Sequence, residues 1–467
     1  MKTTLENKAV HMEDGISIQN LPKTYRDSVV VCKELGINHL WIDSLCIIQN
    51  SSHDWSEQAS RMAEIYQNAY VTIAAVAARN STEGLFNDIS DRLTSVSLPG
   101  YPWIQIRKQA QLPSASDDFM DPDFNDGHTL YKRGWTFQEL SLSPRVIHYG
   151  RNEVVWQCQS RSICEGDPDG SIEISSLVSA NLIREPDLSI EGLWYSIVGA
   201  YSWRGLTFEK DRLPAIAAFA SRIEAENHQK KYVHGLWEDS LRLDLLWSVD
   251  TWKPDHHPGP SSGLEPRSLP TWSWVSVKAP VIWDNIPALN EFEEVPHTKI
   301  MKVAYKTRGP PLLGDAIEAH IVIQAPIFKL SDLRKTGTLS SLETVETNPN
   351  EVVWYSPRWD SPLDATTHGK QHTEALAIPL IMPKRKMKSK YARRFINSLV
   401  IERTSEVGKY RRVGVVELGL QAHATWSATD TESSEDEMTE RGVEGERNYE
   451  RFIQIMDHME KRTITLI

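Results

Sequence analysis

Between Leu21 and Ala78 the chain alternates between helical spacing and short apolar runs, and this alternation constrains the fold more than any other feature. Asn20-Leu21-Pro22 reads as a helix start, a capping residue with a proline early in the first turn, where its missing N–H costs nothing. Leu21, Tyr25, Ser28/Val29, Cys32 and Leu35 then recur at helical spacing, and Gly36 is a natural stop. Ile37 to Ile48 is apolar on both sides of the alternation, the pattern of a parallel strand buried on both faces. Asp54-Trp55-Ser56-Glu57 has the form of a capping box, with Asp54 as the cap and Glu57 reaching back. Trp55, Ala59, Met62, Tyr66 and Ala69 follow along one helical stripe, and Tyr70 to Ala78 reads as a second buried strand. Helix, strand, helix, strand in succession predicts an α/β layer around a parallel sheet.

Further along, residues 87–130 are rich in Asp, Ser, Pro and Gly and read as a long insertion or loop. Order returns at Tyr131 to Leu140, a loop feeding a helix, and Val146 to Tyr149 and Val154 to Trp156 read as strands. The expected organisation is an α/β domain over 1–160, a helical region over 161–252 and a Pro/His/Gly/Ser linker at 253–268. The helical region includes Pro214 to Ile223 and Tyr232 to Trp247. A mainly β region then covers 269–467, with an acidic, flexible loop at 430–446.

The charge balance, 51 basic against 63 acidic residues, gives a net charge of −12 and argues against a nucleic-acid or anionic-membrane binder. The one basic cluster, Lys384 to Arg394, reads either as an anion or nuclear-localisation patch or as a solvated strand edge or loop. The apolar run Tyr70 to Ala78 falls far short of the roughly 20 residues that span a bilayer. Met1 to Glu6 lacks the apolar core of a secretory signal, so a soluble, cytoplasmic protein is expected. Cys32, Cys46, Cys158 and Cys164 form no Cys-x-x-Cys pair, so neither a disulfide scaffold nor a zinc site is expected. No Gly-x-Gly-x-x-Gly, Walker or Gly-x-Ser-x-Gly sequence appears, and no cofactor or metal is called for. Sixteen tryptophans predict large rigid cores and aromatic pockets.

Three segments together resemble the heterokaryon incompatibility (HET) domain of filamentous fungi. They are Leu35 to Gln49, containing Trp41-Ile42-Asp43-Ser44-Leu45-Cys46-Ile47-Ile48-Gln49; Asp54-Trp55 through Ile65 to Ala69 and on to Gly84-Leu85; and Arg133 to Glu139 with Ser143-Pro144-Arg145-Val146. Downstream, Tyr201-Ser202 with Leu206-Thr207, Asp211 to Ala215, Gly235-Leu236-Trp237 and Pro270 to Trp274 resemble the region that often accompanies this domain. Family members usually begin with a first strand; here about twenty mostly polar residues precede the helix at Leu21, so an N-terminally truncated domain is expected.

The resemblance implies a flavodoxin/TIR-like parallel sheet, since HET domains are similar to TIR domains. It also implies a signalling protein in non-self recognition and programmed cell death that self-associates or binds a protein partner. Some TIR domains hydrolyse NAD⁺ with a glutamate four residues after a tryptophan, and Trp135-Thr136-Phe137-Gln138-Glu139 has that spacing. The alternative reading is therefore an NAD⁺ glycohydrolase, with NAD⁺ as substrate and Glu139 as its central carboxylate. Such a group stabilises the oxocarbenium-like state of glycosidic cleavage. Asp43, Trp135 and Arg133 are the candidate substrate-binding residues. Against these roles stand plainer ones: Glu139 capping a helix or pairing with Arg133 or Arg145, Trp135 in a core, and Asp43 capping a turn.

Overall fold

The computed structural model describes residues 1–86, 96–106, 129–151, 153–165, 189–227, 230–250, 269–283, 292–308, 312, 315–335, 352–360, 374–384, 395–420 and 450–467. The chain divides into two compact units, Met1–Leu188 with Trp203–Phe219 and Ser189–Ser202 with Ala220–Ile467. The linker at 253–268, the acidic loop at 430–446 and all of Lys384 to Arg394 but Lys384 lie outside the described residues.

In the first unit α1 (Lys8–Glu13) precedes α2 (Lys23–Glu34), which ends before Gly36 at φ +68°, as the sequence predicts; its start differs, since Pro22 holds the cap position without a side-chain cap and the expected cap, Asn20, closes a separate 3-10 turn over Ile18–Asn20. Residues 83–85 clasp the first turn of α2. Lys23 pairs with Asp27 at 3.2 Å and donates to the Glu83 carbonyl, while Asp27 accepts the Leu85 N–H at 2.8 Å. Gly84 sits among these groups at φ +90°, where a Cβ would strike the Lys23 ammonium and the Asp27 carboxylate, so only glycine fits.

The expected strand at 37–48 is absent, and a one-turn helix, α3 (Asp43–Cys46), stands in its place. The Leu45 and Cys46 N–H groups both return to the Ile42 carbonyl, Ile47 donates to Asp43, and the Asp43 carboxylate takes the Ser44 N–H at 2.7 Å. The donors of Ser44 to Ile47 are thus spent locally, and of residues 37–48 Ile48 alone forms a β-bridge, parallel to Thr3. Asp43 favours the turn, because a short polar side chain competes for a nearby backbone group, while the Ser44 hydroxyl bonds the Tyr25 hydroxyl. Of residues 37–48 only Ile47 is buried.

The next helix, α4 (Ser52–Gln67), begins nearly a turn earlier than the Asp54 box implies. Ser51 is the cap, accepting the Asp54 N–H at 3.2 Å, and the Asp54 carboxylate accepts the Ile48 N–H at 2.7 Å instead of capping. The predicted stripe survives this shift, with Ala59 and Met62 buried.

After β1 (Thr72–Ala74), a separate hairpin of β2 (Val96–Leu98) and β3 (Tyr101–Ile106) forms inside the stretch expected to be loop; 87–95 and 107–128 lie outside the described residues. Helix α5 (Gly134–Leu142) leads into β4 (Arg145–Tyr149), β5 (Val154–Cys158) and β6 (Ser162–Cys164). The sheet order is β1-β4-β5-β6. Only β1 with β4 is parallel, in the register Ile73 to Ile147; β5 and β6 follow as antiparallel hairpins, so the described sheet is mixed rather than parallel throughout. The pleat gives it two apolar faces. Ala74 and Val146 pack with Tyr131 and Leu140, whereas Ile73, Ile147 and Tyr149 pack with Val31 and Leu85.

In the second unit, α6 (Ile190–Ser202) packs in a tryptophan-rich core, and α7 (Ala217–Glu226) carries the chain over from the first unit. Tyr232 to Trp247, expected as helix, instead holds β7 (Tyr232–Val233), β8 (Leu236–Trp237) and a single turn, α8 (Leu241–Asp244). The β7–β8 turn has His234 at φ +48° and Gly235 at φ +94°, the left-handed pair of a two-residue hairpin. Trp194 and Trp274 both donate their indole N–H to the Gly235 carbonyl, at 3.0 and 2.8 Å, and the Ser273 hydroxyl donates to His234. Trp247 donates to the Trp272 carbonyl at 3.0 Å, and the buried Arg412 guanidinium lies 3.3 Å above the Trp247 ring while pairing with Asp360.

β9 (Ser248–Val249) and β10 (Val281–Ile282) form a short ribbon. The remaining strands are β11 (Phe292–Glu294), β12 (Lys299–Arg308), β13 (Asp315–Pro326), β14 (Phe328–Lys329), β15 (Arg334–Lys335), β16 (Val352–Trp359), β17 (Leu376–Pro383), β18 (Ile396–Arg403), β19 (Lys409–Leu420) and β20 (Lys461–Leu466). They join in one sheet with the main path β11-β17-β18-β19-β20-β13-β12, bearing out the mainly β expectation. Phe452 and Met456, one turn apart on a helix over 450–458, seal one apolar cluster of this unit.

One buried histidine makes the first unit sensitive to acid. Tyr131 donates to His148 Nδ1 at 2.8 Å and His148 Nε2 donates to Gln157 at 2.7 Å, a neutral tautomer with both nitrogens used. Burial pushes the imidazole down to about 4 from an ordinary 6.5. The unfolded chain takes up a proton below the ordinary value and the folded chain does not, so stability present at neutral pH is lost as pH falls from 6.5 towards 4. The loss for this one group is about 3 kcal/mol. Urea melts at pH 7 and pH 5 should therefore show a wild-type loss that shrinks in His148→Gln; equal losses in the two proteins would remove this assignment.

Candidate functional site

Helix α5 carries the Trp-x-x-x-Glu segment, and its start is fixed by backbone and side chain alike. Gly134 donates to the Gly205 carbonyl at 2.7 Å and Gly205 returns a bond to Lys132 at 2.6 Å. A Cβ at position 134 would lie 2.4 Å from the Leu206 side chain, so the close approach of this segment selects glycine. Arg204, itself buried, donates to Thr136 Oγ1 at 3.3 Å and lies over the Phe137 ring at 4.9 Å. At the other end, Ser143 donates to the Glu139 carbonyl at 2.6 Å and bonds Thr72 of β1, which pins the helix to the sheet.

α5 packs on α4, and one helix face on each side makes two meeting points. Trp55 meets Trp135 edge to face at 6.3 Å. Three turns after Trp55 on α4, and one turn after Trp135 on α5, Tyr66 and Glu139 lie close enough for each to act on the other's charge. Ile42 is extended, at φ −132° and ψ 120°, so Trp41 and Asp43 emerge on the same side. Trp41 meets the Tyr66 ring edge-on at 5.7 Å, and Asp43 is close enough to act on both Tyr66 and Glu139.

Glu139 is half-buried, and its carboxyl is pushed up from an ordinary 4.5 to about 7. Burial is the main cause and the Asp43 charge adds to it, while the Arg133 and Arg204 guanidiniums and the nearby Tyr66 hydroxyl oppose it. The Tyr66 phenol is held well above the usual tyrosine range by burial and by the Glu139 and Asp43 charges beside it.

Three of the four residues singled out in the sequence, Asp43, Arg133 and Glu139, thus come together. Asp43 and Arg133 are exposed at the edge and Glu139 lies further in. Trp135 faces the other meeting point, where its indole N–H donates to Asp211 at 3.2 Å and its ring abuts Trp55. Of the two arginines considered as partners of Glu139, Arg133 acts on it, whereas Arg145 stacks on the Tyr70 ring at 5.2 Å and bonds the Tyr70 carbonyl. Sequence reasoning missed Tyr66, Trp41 and Arg204. Tyr66 read as one more residue of an apolar stripe and Trp41 as part of a strand, and no motif marks Arg204.

A partly accessible carboxyl that changes charge near neutral pH, flanked by a cation and a second acid, suits proton transfer or stabilisation of a developing positive charge. No group of three or more His, Cys, Asp or Glu side chains that could hold a metal occurs among the described residues. Nor is any helix among them long and apolar enough to cross a membrane.

The family model for the heterokaryon incompatibility protein (HET) matches residues 2–139, a stretch that ends on the candidate glutamate. No curated protein and no solved structure matches the chain.

The raised carboxyl has a stability consequence. A group whose folded value lies above its unfolded one stabilises at pH below the unfolded value, and that contribution is lost as pH rises to the folded one. The window here runs from 4.5 to about 7. Glu139→Gln should therefore gain stability over wild type as pH rises from 5 to 8, by roughly 1–2 kcal/mol after discounting for partial exposure. Thermal melts across that range check this, and a difference that does not grow with pH would contradict the burial of the charge.

Proposed function

We propose, from the heterokaryon incompatibility domain that residues 2–139 carry, that this protein acts in non-self recognition leading to cell death, and that its Glu139 site hydrolyses the nicotinamide–ribose bond of NAD⁺. The observation that supports the enzymatic reading is that Arg133 and Asp43, the latter far away in sequence, both act on the half-buried Glu139 carboxyl. The TIR-like character of the domain belongs to the same proposal.

In the proposed reaction the C1′–N1 bond of the nicotinamide riboside breaks and its electron pair leaves with the nicotinamide, discharging the pyridinium. The positive charge that develops on the ribose faces the Glu139 carboxylate. In a partly desolvated site this charge attraction is worth more than in water. Water adds to C1′ and its proton passes through Glu139 to solvent, leaving nicotinamide, ADP-ribose and one proton. Arg133, exposed at the edge, is placed for the pyrophosphate, and Asp43 for a ribose hydroxyl.

Purified full-length protein should release nicotinamide from NAD⁺, and Glu139→Gln should lower the rate by about 100-fold or more. Because the ionised carboxylate is the working form, the rate should rise with pH through about 7. Folded protein that releases no more nicotinamide than its Glu139→Gln control would end the enzymatic reading.

A second reading, action through self-association, has its own support. Leu5, Val10, Met12 and Ile18 are all exposed, and α1 buries none of its residues. Sedimentation should then show a concentration-dependent dimer that Val10→Asp with Met12→Asp abolishes; a monomer at every concentration would remove this reading.

A further inference from the structure

We propose that Trp55, Phe208 and Asp211 form a binding site for an alkylated ammonium group, carried either by a methylated lysine of another protein or by a small free amine, and that the Lys210 ammonium holds this place when no ligand is bound. The site lies within the first unit, at the end of the α4–α5 contact away from Glu139, and does not depend on the glycosidic reading.

Three segments build it. Trp55, half-buried in the first turn of α4, meets Trp135 of the first turn of α5 edge to face at 6.3 Å. Phe208 caps a 3-10 turn over Glu209–Asp211, which brings Lys210 and Asp211 to the tryptophan pair. The Lys210 ammonium lies over two rings at once, 5.5 Å from the centre of Trp55 and 5.8 Å from that of Phe208. Two aromatic faces therefore converge on one point, and a cation already occupies it. Phe208 is 60% exposed and Lys210 is exposed too, so the point is open to solvent.

Asp211 is a second and independent observation. It is only 5% exposed; its Oδ2 accepts the Trp135 indole N–H at 3.2 Å, while the buried Oδ1 has no hydrogen-bond partner among the described residues. A buried acceptor left unpaired is costly, and a cation nearby offsets that cost. Burial pushes the Asp211 carboxyl above its ordinary value, while the Trp135 bond and the Lys210 ammonium oppose the rise, so the carboxylate already responds to a cation at this point.

The chemistry of the walls selects the ligand. Ring faces attract positive charge but offer no acceptor lone pairs. A lysine ammonium carries three N–H donors, and that of Lys210 makes no hydrogen bond or salt bridge among the described residues, so it is poorly matched to the rings it covers. Methyl groups in place of those hydrogens remove the need for acceptors and add apolar contact with Trp55 and Phe208. An alkylated ammonium thus keeps the attraction to the rings and to Asp211 and loses less hydration on entry. Lys210, on a flexible stem, swings out as the ligand enters.

The test is tetramethylammonium chloride titrated into full-length protein labelled with nitrogen-15 tryptophan, at pH 7 and constant ionic strength, with Trp55→Phe assigning the Trp55 indole signal. That signal should shift saturably, and sodium chloride should not move it. Lys210→Ala, which removes the competing cation, should bind about fivefold tighter, and Asp211→Asn, which keeps an acceptor for Trp135, about tenfold weaker. A Trp55 signal that tetramethylammonium leaves unmoved overturns the proposal, as does a Lys210→Ala protein that binds no tighter than wild type. Should Asp211→Asn fail to fold, Phe208→Ala at its exposed position replaces it, and an unchanged affinity there overturns the proposal. A trimethyllysine peptide that binds at least about tenfold tighter than tetramethylammonium, where its unmethylated form does not, upholds the site with a protein-borne ligand; equal affinity for peptide and salt upholds it with a small amine.

Discussion

The first unit depends on the packing of α5 against α4. One interface brings Trp135 onto Trp55 and, a turn further along α5, brings Glu139 within the influence of Tyr66. The two contacts divide the work. The tryptophan pair, with the Trp135 indole bonded to Asp211, holds the helices at fixed separation by area and geometry. The tyrosine–glutamate pair uses that separation to hold a charge where charge is costly. A change at Trp55 or Trp135 would therefore reach Glu139 without touching it.

Burying a carboxyl works against folding, and the surroundings show what offsets it. Desolvation and the Asp43 charge raise Glu139, while Arg133, Arg204 and the nearby Tyr66 hydroxyl pull it back only as far as about 7. A purely structural acid at this position would do better with a closer cation or more donors. Leaving the group poised between its two forms fits the role proposed for it. His148, by contrast, has both ring nitrogens bonded and lies deep in the sheet, which marks it as structural.

The second unit solves a different problem, how to pack indoles without stranding their N–H groups. A left-handed His234-Gly235 turn exposes one carbonyl to two tryptophans at once, which is why Gly235-Leu236-Trp237 and Thr271-Trp272-Ser273-Trp274 occur together though more than thirty residues separate them. The helix expected at 232–247 fails for the same reason, since the turn needs φ > 0 at two successive residues, which no helix allows.

Periodicity and spacing determined much of this protein: α2 and its glycine stop, the stripe of α4, the strands β4 and β5, the mainly β second half, and Glu139 placed one turn after Trp135. These follow from the sequence because they rest on local rules, repeat length, cap chemistry and the i to i+4 geometry of a helix. The strand expected at 37–48 did not form, because its apolar character gave no hint that Asp43 would take the Ser44 N–H and open a helical turn. Only the tertiary structure decided that Asp43, Tyr66, Arg133 and Arg204 surround Glu139, and that Trp135 turns away from it to Trp55 and Asp211. Those are contacts between residues far apart in the chain. They are set by how α3, α4, α5 and the 203–211 segment pack, and that packing leaves no periodic trace along the sequence.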